Sequence, residues 1–195
     1  MVKPLLPDSA RQHKDEDFLK AKLDRLWDPH VAPLNELCDQ MAGDTGKKIP
    51  YFDPFDGGVN AKLLFILYKP QNGAEGSNIV SMDNDDPAAE TTFHAFGEAG
   101  IPRSDIALWN IIPWFDGTDD YSKGKQLLKL VLPLIPDVKT LVFAGKGMRQ
   151  KIKSIRWGVH WDVAPSPGQK SHISNPKFKE ELVEVLKENW QVQCH

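Results

Sequence analysis

Residues 61–68 read AKLLFILY, and from Leu63 onward the run is apolar without a break. Turn-forming sequence bounds it on both sides, YFDPFDGG (51–58) before it and KPQNG (69–73) after it. A half-exposed strand would alternate apolar with polar residues. A short unbroken apolar run between turns is instead the pattern of a strand covered on both faces, as in parallel sheets.

The sequence downstream repeats this strand and then alternates it with helical patterns. DDPAAETTFHAFGEAG (85–100) offers Asp85 or Asp86 as cap, Pro87 in the first turn and Gly100 past the end. DIALWN (105–110) reads as the next strand, Ser122 as the cap of a helix running to Leu134, and VKTLVFAG (138–145) as a third strand. A basic helix from Gly147 leads to GVHWDVAPSP (158–167), the fourth strand. NPKFKEELVEVLKENW (175–190) closes the chain, with Asn175 as cap and Pro176 at the first helical position. Such alternation predicts an α/β fold, a three-layer α/β/α sandwich around a central, mainly parallel four-stranded sheet.

Upstream, SARQHKDEDFLKAKLDRLW (9–27) puts Phe18, Leu19, Leu23, Leu26 and Trp27 at helical spacing. Val31 to Met41 predicts a second helix, with Leu34, Leu37, Cys38 and Met41 on one face and GDTG (43–46) as its break. The expected organisation is one domain over residues 1–195, with 1–50 a helical extension packed on it.

With 195 residues, 41% hydrophobic and 26% charged, the chain can bury a sizeable core. No apolar run approaches a membrane span, and MVKPLLPDSARQHKDEDF has no signal-peptide h-region, so a soluble cytoplasmic protein is expected. The two cysteines, Cys38 and Cys194, lie near opposite ends and match no metal spacing. A net charge of −3 gives no whole-molecule argument for nucleic acid. GKGMRQKIKSIRW (145–157) departs from that average: Lys146, Arg149, Lys151, Lys153 and Arg156 stand together with no acid among them. The cluster is either a solvated helix face or a phosphate-tracking patch.

In open parallel sheets ligands bind beyond the carboxyl ends of the strands, so the loops following each strand carry the information. One of them, LWNIIPW (108–114), ends a buried strand on Asn110. An unpaired amide there costs free energy. Either Asn110 forms an Asx turn with its own backbone, or a group outside the chain pairs with it.

From about Tyr51 to the end, DPFDGG (53–58), LLFILYKP (63–70), GSNIVSMDNDDPAA (76–89), LWNIIPW (108–114) and APSP (164–167) resemble, in order and spacing, the uracil-DNA glycosylase superfamily. Asn110 and the tripeptide Pro165, Ser166, Pro167 are the most specific parts. Two cysteines exclude the four-cysteine iron–sulfur subgroup and leave a cluster-free bacterial branch. The resemblance implies hydrolysis of the N-glycosidic bond of uracil or another deaminated base in DNA, by a monomer that needs no cofactor or metal. It implies base contacts from Asn110, Ile79, Tyr68, Lys69 and Pro70. It also implies a DNA grip from Pro165, Ser166, Pro167, Gly168 and Gln169, with Lys146, Arg149 and Lys151 on phosphates.

Four residues depart from the family. Tyr68 and Lys69 stand where a polar residue commonly orients water, Ile79 where a phenylalanine stacks on the base, and Ala164 where a histidine supports the leaving group. Asp83 is the remaining acid for water, with one of Asp85 and Asp86 capping the following helix, and His172 is the histidine that could fold back toward Ala164. An alternative is a glycosylase-fold protein that binds nucleic acid or a nucleotide-like ligand without cleaving it. A third is an interaction module built on Trp109, Trp114 and Phe115.

Overall fold

The computed structural model describes residues 9–70, 72–115, 118–152, 158–168 and 175–191. Its strands are β1 (Tyr51–Phe52), β2 (Leu63–Leu67), β3 (Ile79–Val80), β4 (Ile106–Asn110), β5 (Thr140–Ala144) and β6 (His160–Ala164). Its helices are α1 (Glu16–Leu23), α2 (Ala32–Thr45), α3 (Asn72–Ser77), α4 (Pro87–Ala99), α5 (Tyr121–Val131), α6 (Met148–Ile152) and α7 (Phe178–Gln191).

The AKLLFILY run forms β2, inside a four-stranded parallel sheet of order β4-β2-β5-β6. Leu63 faces Ile106 across one side and Thr140 across the other. Its side chains alternate between two separate cores. Leu64 and Ile66 pack with Trp109, Phe143, and Leu34, Cys38 and Met41 of α2. Leu63 and Phe65 pack with Leu108, Val142, Phe96 of α4, and Leu182 and Leu186 of α7. Helices cover both faces, which explains the absence of polar alternation in β2. Complete burial of one such side chain, Phe65, contributes about 1.5–3 kcal/mol.

A second, two-stranded parallel pairing joins β1 to β3, with Tyr51 opposite Ile79 and Phe52 opposite Val80. Two residues per strand are too few to leave a periodicity in sequence. Phe52 then stacks on Trp109, ring centres 4.8 Å apart and planes within 9°.

Several element ends differ from the sequence expectation for local reasons. α1 stops at Leu23; its buried residues are Phe18 and Lys22, joined by Leu26 of the following turn, while Leu23 and Trp27 are 38% and 51% exposed. The inward face is therefore turned from the expected one, and it carries a lysine. α2 runs through Gly43 and ends where Gly46 takes the left-handed conformation at φ 65°. α5 is capped by Asp120, which accepts the Lys123 amide at 2.9 Å, and not by Ser122. α4 matches expectation, with Asp86 as its cap and Gly100 in the left-handed region at its end. Asn175 and Pro176 lie in a turn just before α7, which begins at Phe178. Among the described residues no helix is long and apolar enough to cross a membrane.

Candidate functional site

Because the sheet is parallel, the carboxyl ends of β2, β4 and β6 share one edge. The loops that follow β2 and β6 and the start of α4 enclose a cleft of about 750 Å³ there. Tyr68, Lys69 and Pro70 form one wall, Ser166, Pro167 and Gly168 another, and Asn110 lies on the floor.

Asn110 is the last residue of β4, opposite Leu67, and only 2% of it is exposed. Its Nδ2 is buried and donates to no group in the structure. An Asx turn would use this side chain locally, and no such bond is made. Leaving an amide donor unpaired in a protein interior costs about 1–3 kcal/mol. The backbone at this point is fixed regardless: Ile111 N–H donates to Leu67 O at 2.9 Å and Ile112 N–H to Tyr68 O at 2.9 Å. The strand end is fixed and the amide nitrogen it carries is unsatisfied.

Asp83 is not available to the cleft. It is fully buried, and its Oδ2 lies 2.8 Å from Arg103 Nη2 and in contact with Lys22 Nζ. Lys22 also reaches Asp53 Oδ2 at 2.8 Å and Ser81 Oγ at 3.2 Å. Arg103 bridges Asp53 and Asp56, at 2.7 Å to each. The DPFDGG motif, with Lys22, Ser81, Asp83 and Arg103, thus builds an ion cluster behind the cleft wall. Two cations face three carboxyl groups, so one carboxyl is under-compensated. Burial raises the Asp56 carboxyl, to about 8. Burial also acts on Asp53, but the Lys22 and Arg103 charges reverse it and hold that carboxyl below its usual range.

The cluster reaches the cleft through Ser81 and Asn84, which both line it. Asn84 is fully committed: its Nδ2 donates to Ile79 O at 2.9 Å, and its Oδ1 accepts from Ser77 Oγ at 2.7 Å. His13 Nδ1 lies 2.8 Å from the same oxygen, and the His13 N–H donates to Asp83 O at 3.0 Å. Burial, with Lys22 nearby, holds this imidazole below its ordinary value, leaving Nδ1–H as the donor. His13, which precedes α1, is therefore part of the cleft's support.

Among the described lining residues Asp86 is the carboxylate. Its Oδ1 accepts the Ala88 and Ala89 amides at 2.9 Å each. Its Oδ2 lies against Gly73, where an added Cβ would sit 2.4 Å away. The sequence offered Asp85 or Asp86 as the cap; the place of Asp86 on the cleft against Gly73 depends on a loop path that spacing does not encode.

The other expected positions divide. Ile79 is fully buried in the β1–β3 pairing, and Val80 takes the lining position instead, because neighbours on a strand face opposite sides. Pro165 is buried beside the cleft, while Ser166 Oγ accepts the Gly168 amide at 3.3 Å. Ala164 is fully buried in the core under α4 and α7, with no room for a histidine. Lys146 pairs with Glu181 at 2.7 Å and Arg149 with Asp162 at 3.0 Å, so this basic run is partly neutralised by acids distant in sequence. Lys151 lies over the Tyr121 ring at 4.0 Å. Gln169, His172, Lys153, Arg156 and Cys194 fall outside the described residues. Trp109 and Trp114 are core side chains and Phe115 is half-buried, so the third reading, an interaction module, loses its two tryptophans. Among the described residues no group of three histidine, cysteine, aspartate or glutamate side chains is arranged to hold a metal.

The sequence matches no family model, and no curated protein matches it significantly. Among solved structures the chain is similar to a candidate uracil DNA glycosylase from Methanosarcina acetivorans, determined in solution by NMR. The two share 15% identity over 76% of this chain and 99% of the other, with a TM-score of 0.46.

Proposed function

We propose that the chain acts on DNA as a uracil-DNA glycosylase-type hydrolase, taking one deaminated base out of the stack and cleaving its glycosidic bond. The unpaired Asn110 amide on the cleft floor carries this reading. Uracil presents O4 as an acceptor and N3–H as a donor, which one carboxamide can pair through Nδ2 and Oδ1. Cytosine presents the reverse pattern, so a fixed amide rejects it. Leu67, Pro70 and Val80 offer apolar cover for the ring. Asp86 holds the attacking water. That water adds at C1′ as the bond to the base nitrogen breaks, the base leaves with the electron pair, and the water's proton passes to Asp86.

Two observations favour a second reading, binding without cleavage. Ala164 supplies no donor for the leaving base, and Asp83 is locked among cations. Labelled oligonucleotides carrying uracil, hypoxanthine or xanthine, treated with alkali, separate the two. Alkali-labile sites at the modified position support hydrolysis. Tight, base-selective binding that yields an intact strand supports the binder.

A further inference from the structure

One side of the cleft mouth carries chemistry that base reading does not use. Tyr68 lies nearly parallel to Tyr121, the first residue of α5, with ring centres 5.8 Å apart and planes within 22°. Each ring has an ammonium group over it: Lys151 Nζ at 4.0 Å from the Tyr121 centre and Lys69 Nζ at 5.2 Å from the Tyr68 centre. Asp119 fixes the arrangement, accepting the Tyr68 hydroxyl and lying 3.5 Å from Lys69 Nζ. The loop after β2, the start of α5, and α6 therefore converge on two partly exposed rings flanked by two cations.

A plain packing role leaves part of this unexplained. Rings needed only for the core would be covered, and these are half-buried, with Lys151 exposed beside them. The pattern of aromatic faces interleaved with lysines is the one that suits unstacked nucleotides, which present both base faces and phosphates. A duplex hides its base faces between neighbours and could offer this rim only phosphates. Cations over exposed rings are held weakly, so a lysine on its flexible stem yields its place to a base and moves to the adjacent phosphate.

We propose that Tyr68, Tyr121 and Lys151 form a platform for the nucleotides flanking the extruded base, and that the chain therefore acts on single-stranded DNA. This rests on the base-reading assignment of the cleft. It extends the site past the cleft to a residue, Tyr121, that does not line it.

The test is fluorescence anisotropy with one labelled oligonucleotide, single-stranded and annealed, against the wild type and the variants Tyr121→Leu, Tyr121→Phe and Lys151→Ala. The wild type should bind the single strand more tightly. Tyr121→Leu should lower that affinity about tenfold, within the range for one base–aromatic stack, while Tyr121→Phe keeps it. Lys151→Ala, on an exposed side chain that folding does not need, should reduce the slope of log affinity against log salt by about one on the single strand. Equal affinity of Tyr121→Leu and wild type, equal losses in the leucine and phenylalanine variants, or an unchanged salt slope would each overturn the platform. Uracil against cytosine at the central position, measured in the same samples, reports Asn110 separately. Loss of that preference alone would refute the base reading and leave the rim standing.

Discussion

Lys22 Nζ lies 2.8 Å from Asp53 Oδ2, and neither side chain is exposed at all. One residue comes from α1 and the other from the loop after β1, so the pair fastens the amino-terminal helix to the motif that precedes the sheet. Removing one member of a buried pair strands a charge in the interior, which costs about 3–5 kcal/mol. Lys22→Met should therefore lower the urea-unfolding free energy by roughly that amount, with Asp53 and Asp83 both left under-compensated. A loss under about 1 kcal/mol would mean the cluster is open to water.

Asp56 gives the cluster a pH signature. Its carboxyl is raised to about 8 in the folded chain, against an ordinary 3.8. Between those values the folded state holds a proton that the unfolded state has released, so this group's contribution to stability falls as pH rises through the window. Asp56→Asn keeps the acceptor for Arg103 Nε and cannot lose a proton. Its stability relative to wild type should increase from pH 5 to pH 8, by at most about 1.4 kcal/mol per pH unit. Parallel stability curves for the two proteins in chemical denaturation would show that the proton sits elsewhere.

Asp86 caps α4 and is proposed to hold the attacking water, two roles that substitution can separate. Asparagine caps helices as well as aspartate, whereas alanine costs about 0.5–2 kcal/mol. Asp86→Asn should leave the melting temperature nearly unchanged and abolish alkali-labile sites. Asp86→Ala should lose both. Full strand cleavage by the asparagine variant would remove Asp86 from the water-holding role.

Ala164 tests the limit of reading by family pattern. A histidine restored there would have to enter the core under α4 and α7. Overpacking of this kind costs about 1–3 kcal/mol. Ala164→His should unfold at lower urea concentration and gain no excision activity. A folded, faster variant would mean that the β6 end shifts to admit the ring.

The sheet was legible because β2, β4 and β5 are largely apolar runs alternating with helical patterns, and Leu63, Leu64, Phe65 and Ile66 needed no tertiary information. The ion cluster was hidden for a different reason. Lys22 occupies an inward position that the expected apolar face did not include, and its partners Asp53 and Asp83 lie about 30 and 60 residues away in sequence. A lysine four residues from both Phe18 and Leu26 was the signal available. Asn110 was singled out by its strand-end position and by the resemblance of the motif around it. The exchange of Ile79 for Val80 on the cleft wall depended on a two-residue strand, where one step of register reverses the face.

The central claim is that Asn110 reads the base, and a competition between otherwise identical oligonucleotides carrying uracil or cytosine tests it most directly. In Asn110→Asp the carboxylate cannot donate to uracil O4 and repels it, while it can accept from the cytosine amino group. The preference for uracil should therefore fall by about tenfold or more, the loss of one to two hydrogen bonds, with folding intact. An Asn110→Asp protein that keeps the wild-type ratio of uracil to cytosine would contradict the account.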